Sequence, residues 1–325
     1  MKGIRLFSSI VARVPDKLVK NLELNFGGTG TENYQQLMDQ KMNLDSSGRV
    51  GEFLNHEIKR GCDESRRFAQ ALTTVKQQDS YTGLYLQNVS TNIRAAQYFS
   101  DAIAGLINPQ ATLNNHSLVA GDGVDILSHS DGSSRGSDFK LDLLMLTGIE
   151  SKGKARTYKM DLEKIWQRLP EQTQKILAQP MFGYVHQSDT EGFHLSREMA
   201  ESLKSKVLYK DENDVLRVNF RYDRKCELLF NPRATQFSKD AVKDAINQVH
   251  EVVQDIYAKD EVESFFIKRN EMLLLKNHQA LHGRDLSNQD RQRAILGSSY
   301  ILPNTEVENA KNCEFRIVEL GDKAR

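Results

Sequence analysis

The chain has 325 residues, 44 basic and 44 acidic side chains, and an isoelectric point near 7.1. A zero formal charge excludes broad electrostatic attraction for nucleic acid or an anionic membrane, so a charged ligand must be held by local residues. No apolar run approaches the roughly 18 residues of a membrane-spanning helix, while 39% hydrophobic residues can fill a sizeable core. Cys62, Cys226 and Cys313 are far apart, odd in number and without metal-type spacing, which fits free thiols in a reducing compartment, the cytoplasm by default.

Near the N-terminus, the apolar stretch Leu6 to Ala12 is too short for a signal peptide and is interrupted by Arg13, so it reads as a first strand or helix. Gly27-Gly28-Thr29-Gly30-Thr31 lacks the Lys-Ser/Thr of a phosphate-binding loop and the third glycine of a dinucleotide fingerprint, and reads as a turn. Asp63 to Gln77 is a predicted helix with Phe68, Leu72 and Val75 on one face. Gly83 to Val89 reads as a strand, and Ile93 to Ile107 as a helix with Ala95, Ala96, Phe99, Ile103 and Leu106 inward. Residues 108–122 are polar and irregular, with His116 a loop histidine in water.

Ile126 to Asp131 is a strand on which His129 and Asp131, two apart, share a face and can reach one ion. Gly132 to Ser137 is either a mobile loop over a site or a plain connection. Asp138 to Ile149 is apolar enough for a strand buried on both faces, and Thr157 to Lys159 is short and extended. Helices follow at Leu162 to Leu169 and from Pro170 to Leu177, the proline at a helix start. Strands are predicted at Phe182–Val185, Val207–Lys210 and Val215–Tyr222, with Asp211 to Asp214 as a turn.

Ser238 caps the clearest helix, whose stripe Val242, Ala245, Ile246, Val249, Val252, Val253 and Ile256 must pack on the sheets, with His250 structural at its edge. Ser264–Lys268 and Met272–Leu275 read as strands, followed by His282-Gly283-Arg284. A polar loop holding Arg291 leads to Arg293, the apolar run Ala294 to Leu296 and a last strand near Ser299–Leu302, with an edge strand possible in Cys313 to Leu320. That spacing would put His282 and Arg293 on neighbouring strands. Without repeats or low-complexity linkers, one domain is expected over residues 1–325. It has a helical part at 1–80, a core at about 80–303 with a helical insert (161–178) and a helix (238–257), and a tail at 304–325.

His129, Asp131 and His282 together supply two imidazoles and one carboxylate, a set that suits Fe(II) and leaves coordination positions open. Four stretches resemble the Fe(II)/2-oxoglutarate oxygenases of the clavaminate synthase-like and taurine dioxygenase-like branch. They are Gly83 to Val89, with Asn88 where glycine is usual, His129 to Leu146, Thr157, and Leu273 to Arg284 followed by Arg293. The departures are Lys276 for Asp, His278 for Arg, a short loop after His282, and Gly297 where a second arginine is frequent.

The resemblance implies a mainly β double-stranded β-helix (jelly roll, cupin-like) with flanking helices. It implies Fe(II) on His129, Asp131 and His282, 2-oxoglutarate held by Arg293 and Thr157, and O2 as oxidant. The implied activity is hydroxylation of an unactivated C–H bond of a small, amino-acid-like substrate with release of succinate and CO2. Asp131 favours hydroxylation or desaturation over halogenation. Asn115, Ser117, Asp223 and Arg284 are the candidates for reading the substrate. Two readings stand beside this one: a jelly-roll isomerase or hydrolase with the same metal ligands but no 2-oxoglutarate, and a non-catalytic binding protein.

Overall fold

The computed structural model describes residues 9–26, 54–56, 58–59, 63–108, 110–120, 126–132, 141–152, 154–186, 203–222, 226–285 and 293–301. The readings made for Gly27 to Thr31, Ser133 to Ser137, Asp223, Arg291 and the C-terminal tail lie outside these residues. No helix among the described residues is long and apolar enough to cross a membrane.

Two sheets face each other. The larger has six strands in the order β1-β2-β12-β5-β14-β3: β1 (Ser9–Arg13), β2 (Gly83–Gln87), β12 (Glu271–Lys276), β5 (Leu143–Glu150), β14 (Ala294–Ile301) and β3 (Thr112–Ala120). The smaller runs β11-β6-β13-β4, from Glu263–Phe265, Thr157–Asp161, Ala280–Arg284 and Ile126–His129. Chain neighbours β12 and β13 lie in different sheets, as do β4 and β5 and β13 and β14, so the chain repeatedly crosses between layers as a jelly roll does.

Helices cover both outer faces. On the larger sheet pack α1 (Asp16–Phe26), α2 (Asp63–Gln77) and α3 (Ile93–Ile107); beside the smaller lie α4 (Leu162–Trp166), α5 (Glu171–Leu177) and α6 (Lys239–Ala258). This explains why Met272 to Leu275 is continuously apolar. Met272 and Leu274 bury against the helices, whereas Leu273 and Leu275 bury between the sheets with Phe265, Ile267 and Ile295. The stripe on α6 buries Val242, Ala245, Val249, Val253 and Ile256, and the Ser238 side chain accepts the Ala241 amide at the helix start. His250 packs against the rings of Phe220 and Tyr222.

The expected helices at 63–77 and 93–107 are found at those limits. Asn88, at a position where the family resemblance had led to glycine, has φ 65, in the left-handed region that asparagine tolerates better than most side chains. Its amide also donates to Val14 O and Asp16 Oδ1, both at 2.7 Å, tying the end of β2 to the start of α1.

Four expectations are corrected. Residues 108–122 are not an irregular loop, since Thr112–Ala120 is a strand paired with β14. Its polar pattern is that of an edge strand whose inner face lines a cavity with polar walls. His116 is not in water. It is buried on the outer face, with Nδ1 2.7 Å from Ser298 Oγ and Nε2 3.2 Å from Asp101 Oδ1, the latter not aligned for a hydrogen bond. Ala294 to Leu296 and the last strand are one continuous element, β14, bent by a register shift between Ser299 and Tyr300. The strand expected over Val215–Tyr222 is shorter, spanning Leu216–Val218.

Candidate metal centre and cavity

His129 closes β4 and pairs directly with His282 on β13, so both imidazoles stand on the inner face of the smaller sheet, ring centres 4.4 Å apart. Asp131 does not continue the strand as expected. It sits in the turn that follows, where Gly132 takes φ 82, and the turn swings the carboxylate back toward both rings. One donor atom from each of His129, Asp131 and His282 lies within 4.8 Å of the others.

Asn277, in the turn between β12 and β13, holds this geometry in place. It is fully buried, accepts the Asp131 amide at 2.8 Å, and donates to Asp131 O at 2.9 Å and Leu141 O at 2.6 Å. Sequence reasoning placed Asn277 only as part of a motif. Its grip on a turn far away in the chain has no local signature.

The donor set fits a cation. His129 Nδ1 lies 2.8 Å from Leu127 O, a carbonyl that can only accept, so Nδ1 carries a hydrogen and Nε2 is the ring atom that faces Asp131 Oδ1, 3.1 Å away. Asp131 Oδ2 is 3.7 Å from His282 Nε2. Imidazole nitrogens facing a carboxylate at these distances call for a proton or a metal ion between them. Burial pushes the Asp131 carboxyl up, but hydrogen bonds and charge from His129 and His282 outweigh it and hold it well below the usual carboxylate range. Burial also lowers His282, helped by the neighbouring charge of His129, with Arg221 contributing in the same direction. The carboxylate is therefore anionic and the His282 ring neutral at neutral pH, the protonation states in which these groups bind metal.

The triad opens onto a cavity of about 430 Å³ between the sheets. Arg293 and Thr157 line it, one on the larger sheet's side and one on the smaller's. Arg293 Nη2 donates to Thr157 Oγ1 at 3.2 Å, and the arginine is 4% exposed. His282 and Arg293 are thus not on neighbouring strands. Arg293 precedes β14 in the larger sheet and reaches across the sandwich toward β13 and β6.

Asn115, Ser117 and Arg284 line the same cavity, and Asp223 lies outside the described residues. Arg221 also lines it, in the segment Arg221 to Asp223 that the family resemblance puts at the substrate pocket, where Asp223 alone was singled out as a candidate. Its backbone bridges to His129.

Gly283, between His282 and Arg284, is a position where no side chain fits. An added Cβ would sit inside van der Waals contact of the buried Tyr158 ring and 2.7 Å from Ile126 O. Gly283→Ala is expected to destabilise the protein by about 1–3 kcal/mol through this overpacking. Chemical denaturation checks this, together with a metal titration that should weaken as β13 is pushed off β4.

Neither a family model nor a curated protein sequence matches the chain. Solved structures do. The non-heme iron oxygenase OrfP in complex with Fe, succinate and (3S)-hydroxy-L-Arg superposes with a TM-score of 0.60 at 11% identity, covering 94% of this chain and 97% of that one. Asparagine oxygenase in complex with Fe(II), 2S,3S-3-hydroxyasparagine and succinate gives 0.58 at 12% identity, over 90% and 93%. OrfP with Fe and alpha-ketoglutaric acid gives 0.59 at 11% identity, over 93% and 97%. The chain has the jelly-roll fold of these non-heme iron oxygenases.

Proposed function

We propose that the protein is an Fe(II)- and 2-oxoglutarate-dependent oxygenase that hydroxylates an unactivated C–H bond of a small, amino-acid-like substrate. The observation that carries this reading is the meeting of His129, Asp131 and His282 in a cavity that also holds the Arg293–Thr157 pair. A metal-dependent hydrolase or isomerase has no need of a buried guanidinium and hydroxyl beside the metal, whereas a dicarboxylate co-substrate does. When bound, Fe(II) with 2-oxoglutarate and O2 supplies the oxidation that couples release of succinate and CO2 to hydroxylation, and three protein ligands leave the positions this requires.

The chain's own residues then have distinct tasks. The Leu127 carbonyl fixes the His129 tautomer, so Nε2 offers its lone pair to the metal. Asn277 clamps the Asp131 backbone from both sides and keeps the carboxylate aimed between the imidazoles. The Arg293 guanidinium, charged at any working pH, grips the far carboxylate of 2-oxoglutarate through a two-pronged contact. Thr157 Oγ1 accepts from Arg293, which leaves its own proton to donate to the same carboxylate. Asn115, Ser117 and Arg284 face the remaining space, where the substrate lies.

The amino-acid-like substrate is supported by the neighbours, whose crystallised ligands are hydroxylated arginine and asparagine. The test is succinate release from 2-oxoglutarate by the Fe(II)-loaded protein, screened over amino acids for a product heavier by one oxygen atom. Stimulation of succinate release by an amino acid, with that mass gain, is the expected result; 2-oxoglutarate left intact under every condition contradicts the proposal.

A further inference from the structure

The strand that carries His129 is a slight base for a metal ligand. β4 has 4 residues and ends the order of the smaller sheet. Its ladder with β13 is also irregular. His282 pairs with His129 but Arg284 pairs with Ile126, so β4 carries one residue more than β13 over that stretch, and Leu127 and Ser128 lie within the bulge. Leu127 supplies the carbonyl that receives His129 Nδ1. Where His129 points therefore depends on what holds this bulge.

Tyr158 reaches it from β6, on the other side of β13. Tyr158 pairs with Gly283 and lies over it on the outer face of the sheet, opposite the face on which Thr157 and Arg284 line the cavity. A Cβ at Gly283 would collide with Cζ and Oη of Tyr158. The glycine thus leaves the path by which the phenol crosses β13, and beyond it Tyr158 Oη meets Ser128 Oγ at 3.2 Å in a buried hydrogen bond. The near end of this strut is anchored as well. The Tyr257 ring at the end of α6 lies 5.0 Å from the Tyr158 ring, and the Arg156 guanidinium lies 5.7 Å from its centre. Arg156 Nε in turn donates to Asp285 Oδ2 at 2.6 Å, closing β6 onto the end of β13.

Resting on the metal reading above, we propose that Tyr158 is a positioning residue for the metal centre: through Ser128 its hydroxyl fixes the bulge of β4 and so the direction in which His129 Nε2 points. It acts from behind the sheet and touches neither the metal nor the cavity. A ligand whose support is loosened must be ordered when the metal binds, and that weakens binding.

Two variants test this. Tyr158→Phe keeps the buried ring over Gly283 and removes the bond to Ser128, and Ser128→Ala removes the same bond from its other end. Calorimetry with Fe(II) alone, without oxygen, should show binding about tenfold weaker in each, the lower end of what groups behind metal ligands contribute. The double variant should bind no more weakly than either single one, because both lose one shared bond. Co(II) loaded in place of iron should give a visible d–d spectrum altered in both variants, a change that lowered folding stability alone does not produce. Unaltered Fe(II) affinity and Co(II) spectrum in folded Tyr158→Phe protein, or losses of affinity that add in the double variant, would overturn the inference. Should Tyr158→Phe fail to fold, Ser128→Ala decides by the same two readouts. Wild-type protein that takes up no Fe(II) would instead strike the metal reading, and this inference with it.

Discussion

Arg293→Gln is expected to weaken 2-oxoglutarate binding by about a hundredfold or more, because truncating one partner of a buried, hydrogen-bonded charge pair costs about 2–5 kcal/mol. Arg293 is 4% exposed and reaches across the sandwich to Thr157. A carboxylate brought against Thr157 without the guanidinium would be desolvated and would keep the Thr157 hydroxyl but lose its charged partner. The variant should still bind Fe(II), since Arg293 is not among the metal donors. Calorimetry with metal and with 2-oxoglutarate separates the two effects. Unchanged 2-oxoglutarate affinity would remove Arg293 from the co-substrate site.

Asn277→Ala is the second large effect, and it acts without touching the metal. Three hydrogen bonds disappear together, two part-buried ones to the Asp131 backbone and a buried one to Leu141. One amide and two carbonyls are left without this partner in a site that is 0% exposed at Asn277. A cost of about 1–3 kcal/mol for each stranded buried group makes a stability loss of several kcal/mol the expectation. With its turn loosened, Asp131 no longer stays aimed at the imidazoles, and metal affinity should fall about 10–100-fold, as for other groups that orient metal ligands. Denaturant unfolding and a metal titration read the two consequences separately. Loss of stability with unaltered metal affinity would make Asn277 a structural residue only.

How far the sequence could be read depended on the range of each interaction. Periodicity located the helices at 63–77 and 93–107 because an amphipathic stripe is a local property, and the same holds for the doubly buried strand around Met272 to Leu275. The three metal-ligand candidates were legible as residue types in a familiar order, and the structure brings their side chains together. What stayed hidden was which sheet each strand joins. Nothing local says that the chain crosses the sandwich between β13 and β14, so His282 and Arg293 were expected side by side when they face each other across a cavity. The polar strand β3 was unreadable for a related reason. Its inner face meets a cavity with polar walls and its outer face carries His116 against Asp101 and Ser298, so it lacks the apolar alternation that marks a half-buried strand. Arg221 lay in a segment that the resemblance put at the substrate pocket, but its place beside His129 came only with the backbone bridge between them.

The central claim is that His129, Asp131 and His282 hold one iron to which 2-oxoglutarate chelates. Adding Fe(II) and 2-oxoglutarate to the protein without oxygen should produce the weak visible charge-transfer absorption of that chelate, and His129→Ala should abolish it. Absence of the band in the wild-type protein, or its persistence undiminished in His129→Ala, would contradict the account.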